Sequence, residues 1–280
     1  MQAFFAGELA DGGKLSNESH WNLLLDVEND LGRRLSEQIA DALAGGDTYR
    51  GLAQALRAWD HRDTTDSSGA LVFQQLLRHF AIATFEDDMS EELLGDYLGE
   101  LYYSQERLVS FLGDNDNPWF DNVSTAHRET RDDLWREAAR RTLDAMVPRY
   151  GDDVSQWQWG DFHTITFYHP VFPGATAAKW LGGGIHPYWG SAETLNRGLA
   201  SFDDPESAKA IASLRMVIDL SDDEKIEAHF PGGNSERLFS PWMQSQLPAW
   251  LSGDKLYWWF SDEAIRDNAE HTLTLQPAEA

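Results

Sequence analysis

Between Ala212 and Ser235 the chain reads as two strands joined by an acidic turn. Leu214, Met216, Ile218 and Leu220 alternate with Arg215, Val217 and Asp219, the period of a strand with one apolar and one mixed face. Ser221-Asp-Asp-Glu-Lys225 is a turn cluster. Ile226, Ala228 and Phe230 then alternate with Glu227 and His229 on a return strand, and Pro231-Gly-Gly-Asn-Ser235 closes it in a loop.

Upstream the period is different. Val27, Leu31, Leu35, Ile39 and Leu43 fall four apart, which predicts a helix over 15–44 with Ser16 as N-cap and Gly45-Gly46 as its stop. A second helix is predicted from Tyr49 to Trp59, with Leu52, Ala55, Leu56 and Trp59 inward. A polar loop follows over 61–69. The nearly all-apolar stretch from Ala70 to Thr84 predicts a deeply buried helix. Leu93, Leu94, Tyr97, Leu98 and Leu101 define another. A last long helix is predicted from Ser124 to just before Pro148, with Leu134, Ala138, Thr142 and Met146 in one row. Beyond Pro148 come short alternating stretches: 164–168, 194–199, 214–220, 226–230 and 272–275. Trp180 to Trp189 reads as a glycine-rich aromatic loop, and Pro241 to Ser252 as a short amphipathic helix. The expected class is α+β: a helical segment over 1–150 and a β-rich segment over 151–280, forming one incomplete domain rather than two independent ones.

Charge bounds the partners. The formal net charge of -25 opposes nucleic acid, whose phosphates it repels. No apolar run approaches the roughly 20 residues needed to span a bilayer, so no membrane partner is expected. Lys14, Lys179, Lys209, Lys225 and Lys255 are the only lysines among 22 basic residues. Abundant carboxylates with scarce lysine fit a protein kept soluble at high salt, where charge repulsion is screened. An acidic protein without salt adaptation is the other reading. With no cysteine there is no disulfide and no thiolate chemistry.

A strand bearing Arg215-x-x-x-Asp219, a return strand, then Pro231-Gly-Gly-Asn-Ser235 and Ser240-Pro241 resembles the C-terminal end of the penicillin acylase family of N-terminal-nucleophile hydrolases. Other segments agree in order. Trp59-Asp60 followed by Ser68-Gly-Ala70 is similar to a helical segment of the family. Arg149-Tyr-Gly-Asp-Asp-Val-Ser-Gln-Trp157, with Trp159-Gly160, His163 and His169-Pro170, is similar to the opening of its C-terminal β region. Gly190-Ser-Ala-Glu-Thr-Leu-Asn196 resembles the next strand.

The resemblance implies the αββα sandwich of these hydrolases, and hydrolysis of a linear amide by an N-terminal Ser. That Ser's own α-amino group, with a pKa near ~8 in model compounds, acts as base. An Asn side chain and a backbone N–H stabilise the oxyanion. All of these, with the family's calcium ligands, lie upstream of the region matched, so no cofactor is expected in this chain. It is expected to be the downstream part of a β chain whose partner is the missing N-terminal segment, inactive by itself, with a small-molecule amide as substrate. A non-catalytic homologue that has lost the nucleophile half is the alternative. Family members are usually exported.

The resemblance also suggests site residues. Some family members that cleave cephalosporin side chains place a carboxylate at the position of Asp219, where it orients a His beside the nucleophile. Equally, Asp219 pairs with Arg215 or caps the acidic turn. Asn234 and Ser235 follow Gly232-Gly233 in a loop near the family's cleft, as substrate contacts or as ordinary turn residues. Ser240-Pro-Trp-Met-Gln-Ser-Gln246 stands where the family has Ser-Pro-His-Tyr-x-Asp-Gln, so a His and an Asp are lost. His163, His169 and His186 lack metal-ligand spacing. Trp157, Trp159, Trp180 and Trp189 serve either core packing or an acyl pocket, and Trp258-Trp-Phe260 reads as core. Gly182-Gly-Gly184 lacks the spacing and the following helix of a phosphate loop.

Overall fold

A computed structural model describes residues 5–7, 9–10, 13–100, 104–169, 171–172, 174, 176, 180–222 and 224–277. The architecture is mixed α+β, with helices dominating up to Tyr150 and the named strands beginning at Thr164. The chain forms two compact units, one from Met1–Leu25 and Ala212–Ala280, the other from Asp26–Ile211. Leu101, Pro170, Lys179 and Asp223 lie outside the described residues.

In the 26–211 unit, helices Asp30–Ala42, Arg50–Ala58, Ser68–Phe85 and Arg131–Tyr150 surround one apolar core. The four-spaced row from Val27 to Leu43 is buried throughout. It does not lie on one helix, however. The predicted helix over 15–44 is two, Asn17–Leu24 and Asp30–Ala42. The break comes at Asn29, whose side chain caps the second helix by accepting from the Gly32 N–H at 2.7 Å. Ser16 caps the first as expected, in a reciprocal pairing with Ser19.

Ser68–Phe85 is buried on nearly every side, as its composition requires. Phe80 stacks on Trp135 of Arg131–Tyr150 with ring centroids 3.9 Å apart. Arg141 ties the same two helices together by donating to Glu86 and Glu137. The long helix starts later than its composition suggested, because Thr130 and Asp133 form a capping box there. It also runs past Pro148, which sits in the last turn, where only one intrahelical bond is forfeited. The helix at Glu91–Gly99 buries no residue fully. Leu94, Tyr97 and Leu98 lean on the core while Leu93 is exposed.

Two small sheets complete this unit. β1 (Thr164–Phe167) pairs antiparallel with β2 (Gly184–Pro187), in register Thr164↔Pro187 to Phe167↔Gly184. Part of the stretch read as an aromatic loop is therefore a strand, entered at Gly184 with φ 91°. β3 (Gly198–Leu199) pairs with β4 (Ala210–Ile211). The strand expected over 194–199 shrinks to those two residues. The Thr194 hydroxyl bonds the Ser191 N–H and the Asn196 carbonyl, curling the chain into a turn instead.

In the other unit, β5 (Arg215–Val217), β6 (Lys225–His229) and β7 (Tyr257–Trp259) form an antiparallel sheet in that spatial order. The hairpin is as expected, and its covered face is the mixed one. Leu214, Met216, Ile218 and Leu220 are exposed, whereas Arg215 is 1% exposed. The aromatic mass of Trp21 and Trp250 packs on the arginine's side of the hairpin. Trp258-Trp-Phe260 is not core either. Trp258 is half-buried against Phe230, while Trp259 and Phe260, at the end of an outer strand, face solvent. No strand forms over 272–275, where Leu273 and Leu275 are exposed. The predicted helix over 241–252 shortens to Leu247–Ser252.

Candidate functional site

The hairpin is built around a buried guanidinium. Arg215 and His229 are register partners on β5 and β6, and Arg215 Nη1 donates to His229 Nε2 at 3.3 Å. The same nitrogen donates to the Trp250 carbonyl at 2.7 Å, and the guanidinium lies 4.6 Å from the centroid of the Trp250 ring. Trp21 meets His229 edge-on at 5.0 Å, its indole N–H donating to the Gly253 carbonyl. His229 is thus an acceptor and neutral, its pKa pushed down to about 4 by burial and then by Arg215. Lys255 bridges Glu18 at 2.7 Å and Glu227 at 3.2 Å beside this cluster.

Asp219 lies past the end of β5. Its carboxylate accepts from the Ser221 N–H at 2.9 Å and the Ser221 hydroxyl at 2.7 Å, and these bonds hold it below the usual carboxylate range. It is ionised and caps the acidic turn. The loop after β6 is pinned to the segment before Leu247–Ser252. The Gln246 N–H donates to the Gly232 carbonyl at 2.9 Å, and the Phe230 N–H to the Gln246 side chain at 3.3 Å. A Cβ on Gly233 would lie 2.1 Å from the Trp242 carbonyl oxygen, so only glycine fits there. Asn234 is thereby presented to solvent, while half-buried Ser235 accepts from the Arg237 N–H at 3.2 Å. Phe239, a few residues on, is 87% exposed at φ 63°. Asn234 and Ser235 sit together; Asp219 stands at the opposite end of β6 from them.

Among the described residues no three His, Cys, Asp or Glu side chains group so as to hold a metal ion. His163 is buried and stacked on Trp159 at 4.3 Å, its pKa pushed down to about 4 by burial. His186 bonds the Gly183 carbonyl at 2.7 Å. Of the tryptophans weighed for a pocket, Trp157 and Trp159 are core, Trp189 is half-buried and Trp180 is exposed.

A second polar cluster, around Asp63, lies in a stretch that reads as a polar loop and has no local signature. Its partners lie far along the chain, with Asn29 Nδ2 donating to Asp63 Oδ2 at 3.0 Å across 34 positions. An aspartate between a threonine and a basic residue in a hydrophilic run carries no mark of burial.

This α+β fold is similar to that of a known hydrolase. The thermostable penicillin G acylase of Alcaligenes faecalis is similar over the whole chain and 52% of its own, with a TM-score of 0.56 at 13% identity. The model of the penicillin amidase family matches residues 5–267, and the chain belongs to that family. Similar curated relatives are acyl-homoserine lactone acylases QuiP: that of Pseudomonas putida is 26% identical over 78% of this chain, and that of Pseudomonas aeruginosa 24% over 80%. The QuiP of Pseudomonas syringae pv. tomato is 27% identical over 78%. The chain spans 27–28% of the length of these relatives.

Proposed function

We propose that this chain contributes to an amidohydrolase that cleaves a linear amide, the acyl side chain of a β-lactam or of an acyl-homoserine lactone. The observation that carries this reading is the family match across residues 5–267; the names of the curated relatives support the acyl-homoserine lactone arm of it. The nucleophile is an N-terminal Ser outside these 280 residues, attacking with its own α-amino group as base. The oxyanion Asn and any calcium ligands lie with it, on a segment that is this chain's partner. The match to little more than a quarter of each relative's length is what supports this division.

In this reading the chain supplies the helical layer and the strands that complete an αββα sandwich. Asp219 is the carboxylate facing the cleft, already ionised. Asn234 and Ser235, on a loop pinned through Gly232 and Gln246, contact the substrate. A second reading, a scaffold that binds without catalysing, is favoured by one observation: residues 26–211 bury their own aromatic core.

The test is an amide-hydrolysis assay in concentrated salt with phenylacetyl and long-chain acyl anilides. It compares this chain alone with protein purified from its source. Turnover only by the native material, with a second polypeptide or a larger mass present, supports the proposal. Turnover by the chain alone puts the nucleophile within it, and turnover by neither favours the scaffold.

A further inference from the structure

Asp63 is fully buried, and its backbone joins three stretches of the 26–211 unit. Its N–H donates to the Val27 carbonyl at 3.0 Å, and its carbonyl accepts from the Gly190 N–H at 2.7 Å. The Asn196 N–H in turn donates to the Asp26 carbonyl at 2.8 Å, closing the loop of contacts. Of its carboxyl oxygens, Oδ2 accepts from Asn29 and Oδ1 makes no hydrogen bond.

The neighbours explain what Oδ1 lacks. Asp63 lies against the Ser191 hydroxyl and the Gln74 side-chain amide. A hydroxyl has one proton, and that of Ser191 is committed to Glu193 Oε2 at 2.8 Å. The Gln74 amide donates to the same Glu193 oxygen at 2.9 Å, while Glu193 Oε1 is buried without a partner. Towards Asp63 the serine therefore offers only lone pairs. Of the charged groups on the packed segments, Glu193 is the one that acts on Asp63. Asp26 pairs with Arg62 at 3.6 Å and Glu28 with Arg33 at 3.9 Å. A buried carboxylate beside a lone pair and a second carboxylate, with the neutral amides of Asn29 and Gln74 and no cation to offset them, is costly.

We propose that Asp63 is held as the neutral carboxylic acid in the folded chain, in a relay Asp63 O–H to Ser191 O–H to the Glu193 carboxylate, and that this relay is a pH-sensitive latch joining residues 26–29, 59–63 and 190–196. Burial first, with the Glu193 charge adding to it, pushes the Asp63 pKa up to about 7, in accord with the geometry. On alkalinisation the proton leaves to solvent, and the buried Asp63 carboxylate and the half-buried Glu193 carboxylate face one hydroxyl proton.

The experiment is a pH titration of the full chain in concentrated salt. It follows the carboxylic acid signal by infrared or ¹³C spectroscopy, together with stability against denaturant. At about pH 6 the folded chain shows one buried acid signal that Asp63→Asn removes and that fades through neutrality. The folded state binds the extra proton, so the contribution of Asp63 to stability falls as pH rises between the ordinary carboxylate range and neutrality. Relative to Asp63→Asn, which can still donate to Ser191 and keeps the chain's other titrations, the unfolding constant of the unmodified chain grows by up to about tenfold per pH unit. Glu193→Gln, which removes the neighbouring charge, moves the fading of the signal to lower pH. Should Asp63→Asn fail to fold, the signal in the unmodified chain and in Glu193→Gln still decides. A carboxylate signal persisting down to about pH 5, or stability that tracks sodium or potassium at fixed ionic strength, would mean a cation rather than a proton stands between the acids and overturns the proposal.

Discussion

Arg215 donates to His229 Nε2 across the β5–β6 hairpin, and that bond requires the imidazole to be neutral. The His229 pKa is pushed down to about 4, so the unfolded chain binds a proton between the ordinary histidine range and that value while the folded chain does not. Stability from this pair is present above about pH 6.5 and is lost as pH falls through that window towards about 4. His229→Gln keeps an acceptor for the guanidinium and cannot titrate. The expected result is a shallower loss of stability on acidification in His229→Gln than in the unmodified chain, read as denaturant midpoints at fixed salt. Parallel curves would show that His229 is protonated in the folded state.

His163 gives a second acid-sensitive window with a different cause. It is fully buried against Trp159, and burial alone pushes it down to about 4. The shift corresponds to stability on the order of 3 kcal/mol that disappears between about pH 6.5 and 4. Asp63 acts with the opposite sign over an overlapping range, so the unmodified chain shows only the difference. Asp63→Asn is therefore expected to steepen the acid loss, and His163→Gln to flatten it. Thermal melts of both variants across that range check the pair; equal slopes contradict the assignment.

Much of the fold was legible because long helices and hairpins announce themselves locally. The row from Val27 to Leu43 is buried and Ser68–Phe85 is a core helix, as their spacing and composition require. What failed depended on partners remote in sequence. The alternation of Leu214 to Leu220 marks the strand but does not say which of its faces is covered. Nothing nearby says that Trp250 holds Arg215 through its carbonyl and ring, or that Trp21 packs on the neighbouring His229. Asp63 was missed for the same reason, its environment coming from residues 27, 29 and 190–193. Asp219 is marked by resemblance, and its bonds to Ser221 hold it ionised at the turn, a geometry compatible with either of its two readings.

Gly190 holds the turn beside Asp63 at φ 82°, and a Cβ there would lie 2.0 Å from the Asn196 carbonyl oxygen. Both the torsion and the backbone contact oppose any side chain. Gly190→Ala is expected to cost about 3 kcal/mol or more, with the loss focused on residues 190–199. Hydrogen exchange resolves this, since increased exchange at Asn196 and Gly198 would accompany the fall in midpoint. A variant within about 0.5 kcal/mol of the unmodified chain would mean the turn relaxes freely.

The row Leu214, Met216, Ile218 and Leu220 is between 39% and 96% exposed on an outer strand of its sheet. Apolar rows beside an unpaired strand edge drive association. The chain alone is expected to self-associate at micromolar concentration. Met216→Lys with Leu220→Glu should raise the monomer fraction in sedimentation without lowering the melting temperature, because neither side chain is buried. A monomeric unmodified chain would remove the row as a contact surface. So would a double variant that associates equally.

Salt should act on the whole molecule. There are 47 acidic against 22 basic residues. Much of the cation is already paired, as in Arg57 with Glu37 and Asp41 and Arg149 with Glu206. The surplus carboxylates repel one another at low ionic strength, which penalises the compact state. Screening shortens the range of that repulsion from about 10 Å at 0.1 M to about 3 Å at 1 M. The melting temperature is therefore expected to climb steeply over this interval of potassium chloride. A plateau above about 1 M identifies screening as the cause, since the Debye length is by then shorter than the spacing of surface charges. A continued rise points to added stabilisation of buried apolar surface. A melting temperature indifferent to salt would mean that the acidic surface is no adaptation to it, and that the repulsion is already relieved by the spacing of the charges.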